Sequence, residues 1–264
     1  MNKPLNRSVP KTLYKYRAPV IEKDFERIKD MITHGKYFCS SPKAFNDVFD
    51  CKPVMSFDVS DKEYINGYIQ IARQNGDGRL RKDLIREART HIGTDNDPRS
   101  EFFTNRAQDK YNEFADTWGV FCLAESPSNI LMWAHYAASY TGICMEIETG
   151  KFGNISPVGY SENRPVITWL ENTPIAQKSR KGLYTKSSHW SYEDEWRVMH
   201  LANKALELGP GTVRRIIFGP NCSALTIEKI IEIVRQAGQD IALAKAVPNT
   251  KKFEIDIVEF ESAK

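Results

Sequence analysis

From residue 61 to residue 117 the chain changes its rhythm. "DKEYINGYIQIARQNG", "RLRKDLIREARTHIG" and "DPRSEFFTNRAQDKYNEFADTW" repeat apolar residues at helical spacing, with charges on the outer faces. On either side of this block the apolar residues alternate instead, in short stretches bounded by turn residues, which is the period of a half-buried strand. Before it come "TLYKYR", the amphipathic helix "IEKDFERIKDMITHG" closed by Gly35, and "KYFCS". After it come "GVFCLAES", the apolar helix "PSNILMWAHYAASY" entered through Ser128 or Asn129, "TGICMEIE", "ISPVGY", "WSYEDEWRVMH", "VRRIIFG", the helix "LTIEKIIEIVRQAG", "DIALAKAV" and "KFEIDIVEF". About eight short strands and five or six helices, without regular alternation, exclude a doubly wound parallel sheet and predict an α+β fold. The sheet is expected to be mixed, mostly antiparallel and open to splitting. No Pro/Gly/Ser-rich linker breaks the chain, so residues 1–264 read as one domain carrying residues 61–117 as a helical insertion.

Composition narrows the function classes. With 41% apolar and 11% aromatic residues, 264 residues can bury a substantial core. Lysine and arginine total 37 against 34 acids, too even a balance for a surface built around nucleic-acid charge. The leader "MNKPLNRSVPKT" has no apolar core, and no apolar run approaches the roughly 18 residues of a membrane span. A cytoplasmic protein without a membrane partner is expected. The five cysteines lie far apart, none in a CxxC pair, and with the histidines they show no ligand spacing, so reduced thiols and no metal are expected.

Four stretches carry candidate chemistry. In "HWSYEDEWRVMH" a strand reading puts Glu193, Glu195 and Arg197 on one face and Trp190, Tyr192, Trp196 and Val198 on the other. Two carboxylates separated by roughly 7 Å along a strand can raise one another's pKa and divide catalytic labour. The plain alternative is an exposed charged face. In "NILMWAHYAASY", Trp133, Tyr136 and Tyr140 form an aromatic stripe that reads as core, and His135 reads as a proton carrier or a buried structural histidine. In "LYKYR", Tyr14 and Tyr16 share one face and Lys15 and Arg17 the other. The two cations can grip an anionic ligand or protect an edge strand. "FCSSPKAFNDVFD" offers Ser40, Ser41, Asn46, Asp47 and Asp50, with Phe45 and Phe49 as hydrophobic pins for an ordered loop. Phosphate loops, nucleophile elbows and HExxH are all absent, so any site is assembled from dispersed elements.

The ordered blocks "LYKYR", "YFCSSPKAFNDVFDC", "GVFCLAESPSNILMWAHYAASYTGICMEIE", "KSSHWSYEDEWRVM" and "RIIFGPN" resemble the bacterial family called domain of unknown function 2971 over nearly the whole chain. That resemblance implies one α+β domain and no particular reaction. A second resemblance, at the level of element order, is to ADP-ribosyltransferases. Their split sheet carries an early Arg or His, a middle Ser or Tyr and a late Glu-x-Glu; here Arg17, Ser40 or Ser41, and Glu193 with Glu195 stand in that order, with "CSSP" in place of a Ser-Thr-Ser run.

This second resemblance implies an NAD-consuming enzyme acting on protein or nucleic acid, with Glu195 as catalytic carboxylate and Glu193 assisting. Tyr16, Lys15, Arg17, Ser40, Ser41, His135, Tyr136 and Arg197 would hold the nucleotide. It also suggests a toxin or phage-defence effector. Two other readings stand beside it: a non-catalytic binding or sensing domain, and a magnesium nuclease built on Asp47, Asp50 and Glu193.

Overall fold

The two hydrophobic periods of the sequence sort into an α+β fold, seen in a computed structural model that describes residues 7–168 and 175–260. The first six residues of the polar leader lie outside the described residues. The elements are β1 (Thr12–Arg17), α1 (Glu22–Lys29), β2 (Lys36–Cys39), β3 (Val54–Ser56), α2 (Asp61–Gln74), α3 (Arg81–His91), α4 (Glu101–Asp116), β4 (Trp118–Leu123) and α5 (Ile130–Tyr136). They continue with β5 (Ile143–Glu148), β6 (Ile155–Pro157), β7 (Gly159–Ser161), β8 (Val166–Thr168), α6 (Ile175–Leu183), β9 (Thr185–Ser187) and β10 (Trp196–Leu201). The chain closes with β11 (Lys204–Glu207), β12 (Val213–Phe218), α7 (Ala224–Ala237), β13 (Ala242–Pro248) and β14 (Ile255–Glu259).

The sheet is split. Its larger part has the order β1-β5-β12-β13-β14, antiparallel except where α7 carries the chain from β12 to a parallel β13. The smaller part, β4-β10-β6, is antiparallel throughout. The two parts meet at one bridge, Tyr14 with Ala124, whose amides exchange bonds of 2.8 Å. A second bridge joins Ser40 to Val120. Between these points β1 and β4 form no ladder, and the gap is where a cleft opens.

One side of the larger sheet is packed by α1, a π-helical turn at Asp30–His34 and α7, burying Leu13, Ile28, Ile32, Met145, Ile216 and Ile230. Gly35, at φ 61, closes that helix in the left-handed region that glycine enters without a Cβ penalty. Tyr16, Trp133, Cys144 and Ile217 form a second cluster against α5. A third, with Cys51, Met55, Tyr111, Ile167 and Leu183, ties α4 to the strands. Each fully buried residue of this size contributes roughly 1.5–3 kcal/mol. Asn129 caps α5 by accepting from the amides of Leu131 and Met132. Among the described residues no helix is long and apolar enough to cross a membrane.

Two expectations are corrected. The run from residue 189 is not one strand: Ser188–Glu193 winds as a 3-10 helix, Asp194 takes φ 44, and the strand starts only at Trp196. Phe49 is 59% exposed and does not pin the loop, whereas Phe45 packs on the third cluster.

Candidate functional site: a carboxylate cleft in the split sheet

The gap between β1 and β4 forms a cleft of about 400 Å³. Four sides build it: β1 supplies Lys15, Tyr16 and Arg17, α5 supplies His135 and Tyr136, and β4 supplies Cys122, with Ser40 from the end of β2 and Asn46 from the loop beyond it. Its floor is Asp50, Lys186, Glu193 and Glu195. Of the residues expected to form a site, Glu193, Glu195, Arg17, Tyr16, Lys15, Ser40, His135 and Tyr136 therefore share one cavity. Ser41 and Arg197 do not line it. The Ser41 hydroxyl bonds Asp116 at 3.3 Å and caps the turn Pro42–Ala44, and Arg197 lies behind the floor with no exposed surface.

The floor is an ion-pair network, not an exposed charged face. Glu193, Glu195 and Arg197 are 4%, 2% and 0% exposed. Arg197 clamps Glu195, Nε to Oε1 at 2.7 Å and Nη2 to Oε2 at 3.1 Å, and reaches both Asp50 oxygens at 2.9 and 2.7 Å. Its remaining nitrogen donates to the Leu183 carbonyl at 2.6 Å. Lys186 Nζ donates to Glu193 Oε2 at 2.6 Å and Glu195 Oε2 at 3.1 Å, with Asp50 at 3.7 Å. Tyr136 donates its hydroxyl to Glu193 Oε1 at 2.6 Å. Three carboxylates thus face two cations in a dry setting, where an uncompensated charge is costly.

Of the two floor glutamates, Glu193 is the one whose carboxyl is pushed up. Burial first, and the neighbouring Glu195 charge second, raise its carboxyl to about 7. For Glu195 burial acts in the same direction, but Arg197 and Lys186 outweigh it and hold the group well below the usual carboxylate range. Burial would likewise depress Lys186, yet the charges of Glu195, Glu193 and Asp50 hold its ammonium above the ordinary value. Glu195 is a fixed anion with a bidentate partner. Glu193 is the carboxyl that changes state near neutrality.

The opposite wall is cationic. Lys15 Nζ donates to the Cys122 carbonyl at 2.7 Å and sits 4.7 Å from the Phe121 ring centroid. Burial, then the charge of Arg17, lowers Lys15 to about 8. Arg17 is lowered to about 10, by burial and then by Arg27, and its buried Nε has no hydrogen-bond partner among the described residues. An unpaired buried guanidinium N–H is a donor left open to an anionic acceptor. Tyr16 contributes only its ring, because its hydroxyl is turned to the Ser126 carbonyl at 2.7 Å. His135 is exposed at the rim beside Trp190 and Tyr192, 6.3 and 6.2 Å between centroids, and is not a core histidine. Asp47 lines a neighbouring cavity and not this one, so Asp47, Asp50 and Glu193 are not gathered as a metal set. Among the described residues no group of three His, Cys, Asp or Glu is placed to hold a metal ion.

Lys186 was missed in the sequence. A lone lysine in "LYTKSSHW" has no periodic signal, and only the three-residue β9 and the turn after it bring its ammonium under Glu193. Asp50 was visible only as turn chemistry.

Residues 132–198 match the family described as protein of unknown function (DUF2971), in support of the family read from the sequence blocks. The matched segment runs from α5 to the first residues of β10 and includes His135, Tyr136, Lys186, Glu193, Glu195 and Arg197. No curated protein and no solved structure matches the chain.

Proposed function

We propose that the chain is an NAD-consuming enzyme of ADP-ribosyltransferase type, in which the roles expected from the resemblance are exchanged: Glu193 is the working carboxylate, and Glu195, tied up by Arg197 and Lys186, is the fixed anion beside it. The observation that supports this is the convergence of Arg17, Lys15, Glu193 and Glu195 on one cleft of about 400 Å³, within the range of small-molecule sites. The diphosphate lies along Lys15 and Arg17, and the nicotinamide ribose reaches the floor. When the bond between ribose C1′ and nicotinamide breaks, its electron pair leaves with nicotinamide and neutralises the pyridinium. The positive charge that develops on the ribose faces Glu193 and Glu195, preorganised in low dielectric. The acceptor's nucleophile bonds to C1′, and its proton passes to Glu193, whose raised pKa suits a base at neutral pH. Tyr136 and Lys186 hold that carboxylate in place.

A ligand-sensing domain without turnover is the second reading. It draws on the full engagement of Glu195 and Asp50 by Arg197, which is also how a purely structural network is built. Release of nicotinamide and transfer of label from NAD, measured for the wild type, Glu193→Gln and Glu195→Gln, separate the two. The enzyme reading requires turnover that Glu193→Gln abolishes while ADP-ribose still binds. Tight binding of NAD or ADP-ribose with no turnover of NAD in the wild type selects the sensor, and absence of both overturns the nucleotide assignment.

A further inference from the structure

Away from the carboxylate cleft, and sharing no residue with it, lies a second cavity of about 460 Å³. Tyr64 and Ile71 of α2, Phe103 and Phe114 of α4, Met55 of β3 and Ile167 of β8 form much of its wall. The charged side chains lining it among the described residues are Arg106, Lys110 and Lys178, all cations. Arg106 and Lys110 stand four residues apart on α4 and so share one edge of that helix. Arg106 makes no ion pair among the described residues, and the Lys110 pair with Glu113 is solvent-exposed and correspondingly weak.

The lining selects the occupant. A peptide laid into this wall would bring backbone N–H and C=O groups that must be paired, and the wall is too apolar to pair them. A methylene chain makes no such demand and gains from every contact. A lining whose charged side chains, among the described residues, are all cations favours a negative head over a neutral or positive one. We propose that this cavity binds a fatty-acyl anion, the chain between α2 and α4 and the carboxylate on Arg106, Lys110 and Lys178.

The test uses the full chain and the fluorescence of cis-parinaric acid, displaced by palmitate or by 1-hexadecanol, which has the same chain without the charge. Saturable one-to-one binding is expected, displaced by palmitate at least about tenfold more effectively than by hexadecanol. Ala107→Trp, which fills the cavity, abolishes binding with the circular dichroism unchanged. Arg106→Glu with Lys110→Glu, at exposed positions, weakens palmitate by at least about tenfold and leaves hexadecanol unaffected. No saturable binding, equal displacement by the alcohol, or undiminished palmitate affinity in the double charge reversal would overturn the assignment. So would a concentration-dependent dimer that masks the probe, since a second copy would then be the occupant.

Discussion

Tyr136 and Glu193 lie 57 positions apart and meet through a 2.6 Å hydrogen bond, the last residue of α5 reaching the last residue of the 3-10 turn. The hydroxyl stabilises the charged carboxylate and so works against the burial that raises Glu193. Tyr136→Phe removes that donor without changing shape. The Glu193 midpoint should then rise by about one further unit, the worth of a hydrogen bond to a charged group. Carboxyl NMR of glutamate-labelled protein, wild type against variant, reads this directly; an unmoved midpoint would contradict the role given to Tyr136.

The imbalance of three carboxylates against two cations makes the buried acids unequal. Glu193 is raised from 4.5 to about 7 in the folded protein, so its protonated form contributes stability fully present below pH 4.5 and lost as the pH rises through 7. Glu193→Gln mimics the protonated acid. In urea unfolding at pH 8 it should be more stable than the wild type by about 3 kcal/mol, with a smaller difference of about 2 kcal/mol at pH 6. Glu195→Gln instead strips Arg197 of a bidentate partner and should lose about 3–5 kcal/mol at both pH values. Equal destabilisation by the two variants would mean that burial does not set Glu193 apart from Glu195.

On the opposite wall the sign reverses. Lys15 is depressed to about 8, so its charge disappears between pH 7 and pH 9 while Arg17 keeps its own. Calorimetric titration with ADP-ribose should show affinity falling roughly tenfold across that interval. Lys15→Met should bind more weakly at pH 7 and show a flat profile. A wild-type profile that is itself flat would remove Lys15 from the anion site.

What the sequence displayed was periodicity. The helices of residues 61–117 and much of both halves of the sheet followed from apolar spacing, whereas the prospect that Arg17, Glu193 and Glu195 share a cleft came only from the resemblance in element order to ADP-ribosyltransferases. What it concealed was local geometry without a period. Elements of three residues, such as β3, β8 and β9, are too short to alternate visibly. Asp194 ends the 3-10 turn with a left-handed backbone that its residue type only weakly signals. A strand reading of Glu193 put it on the right side of the chain by coincidence: the turn, not the pleat, aims it at Lys186. The run Ala138, Ser139 and Tyr140 holds positive φ three times in succession, and nothing in "AASY" announces it.

That left-handed run places Gly142 directly against β1. A Cβ on Gly142 would lie 2.2 Å from the carbonyl oxygen of Arg17 and 3.0 Å from that of Ala137, both of them backbone atoms that cannot swing aside. The amide of Gly142 already donates to the Ala137 carbonyl at 2.8 Å, so the turn is fixed on one side while β1 presses on the other. Gly142→Ala must therefore push β1 away from α5, and the residue it displaces is Arg17 itself. The expected result is a loss of about 1–3 kcal/mol in urea unfolding, the usual cost of overpacking, together with weakened ADP-ribose binding. Gly153→Ala is the matched control: its added Cβ meets nothing within 4 Å, and the stability should stay within about 0.5 kcal/mol of the wild type. If Gly142→Ala unfolds like the control and still binds ADP-ribose normally, the close approach of the α5 turn to β1 does not set the position of Arg17.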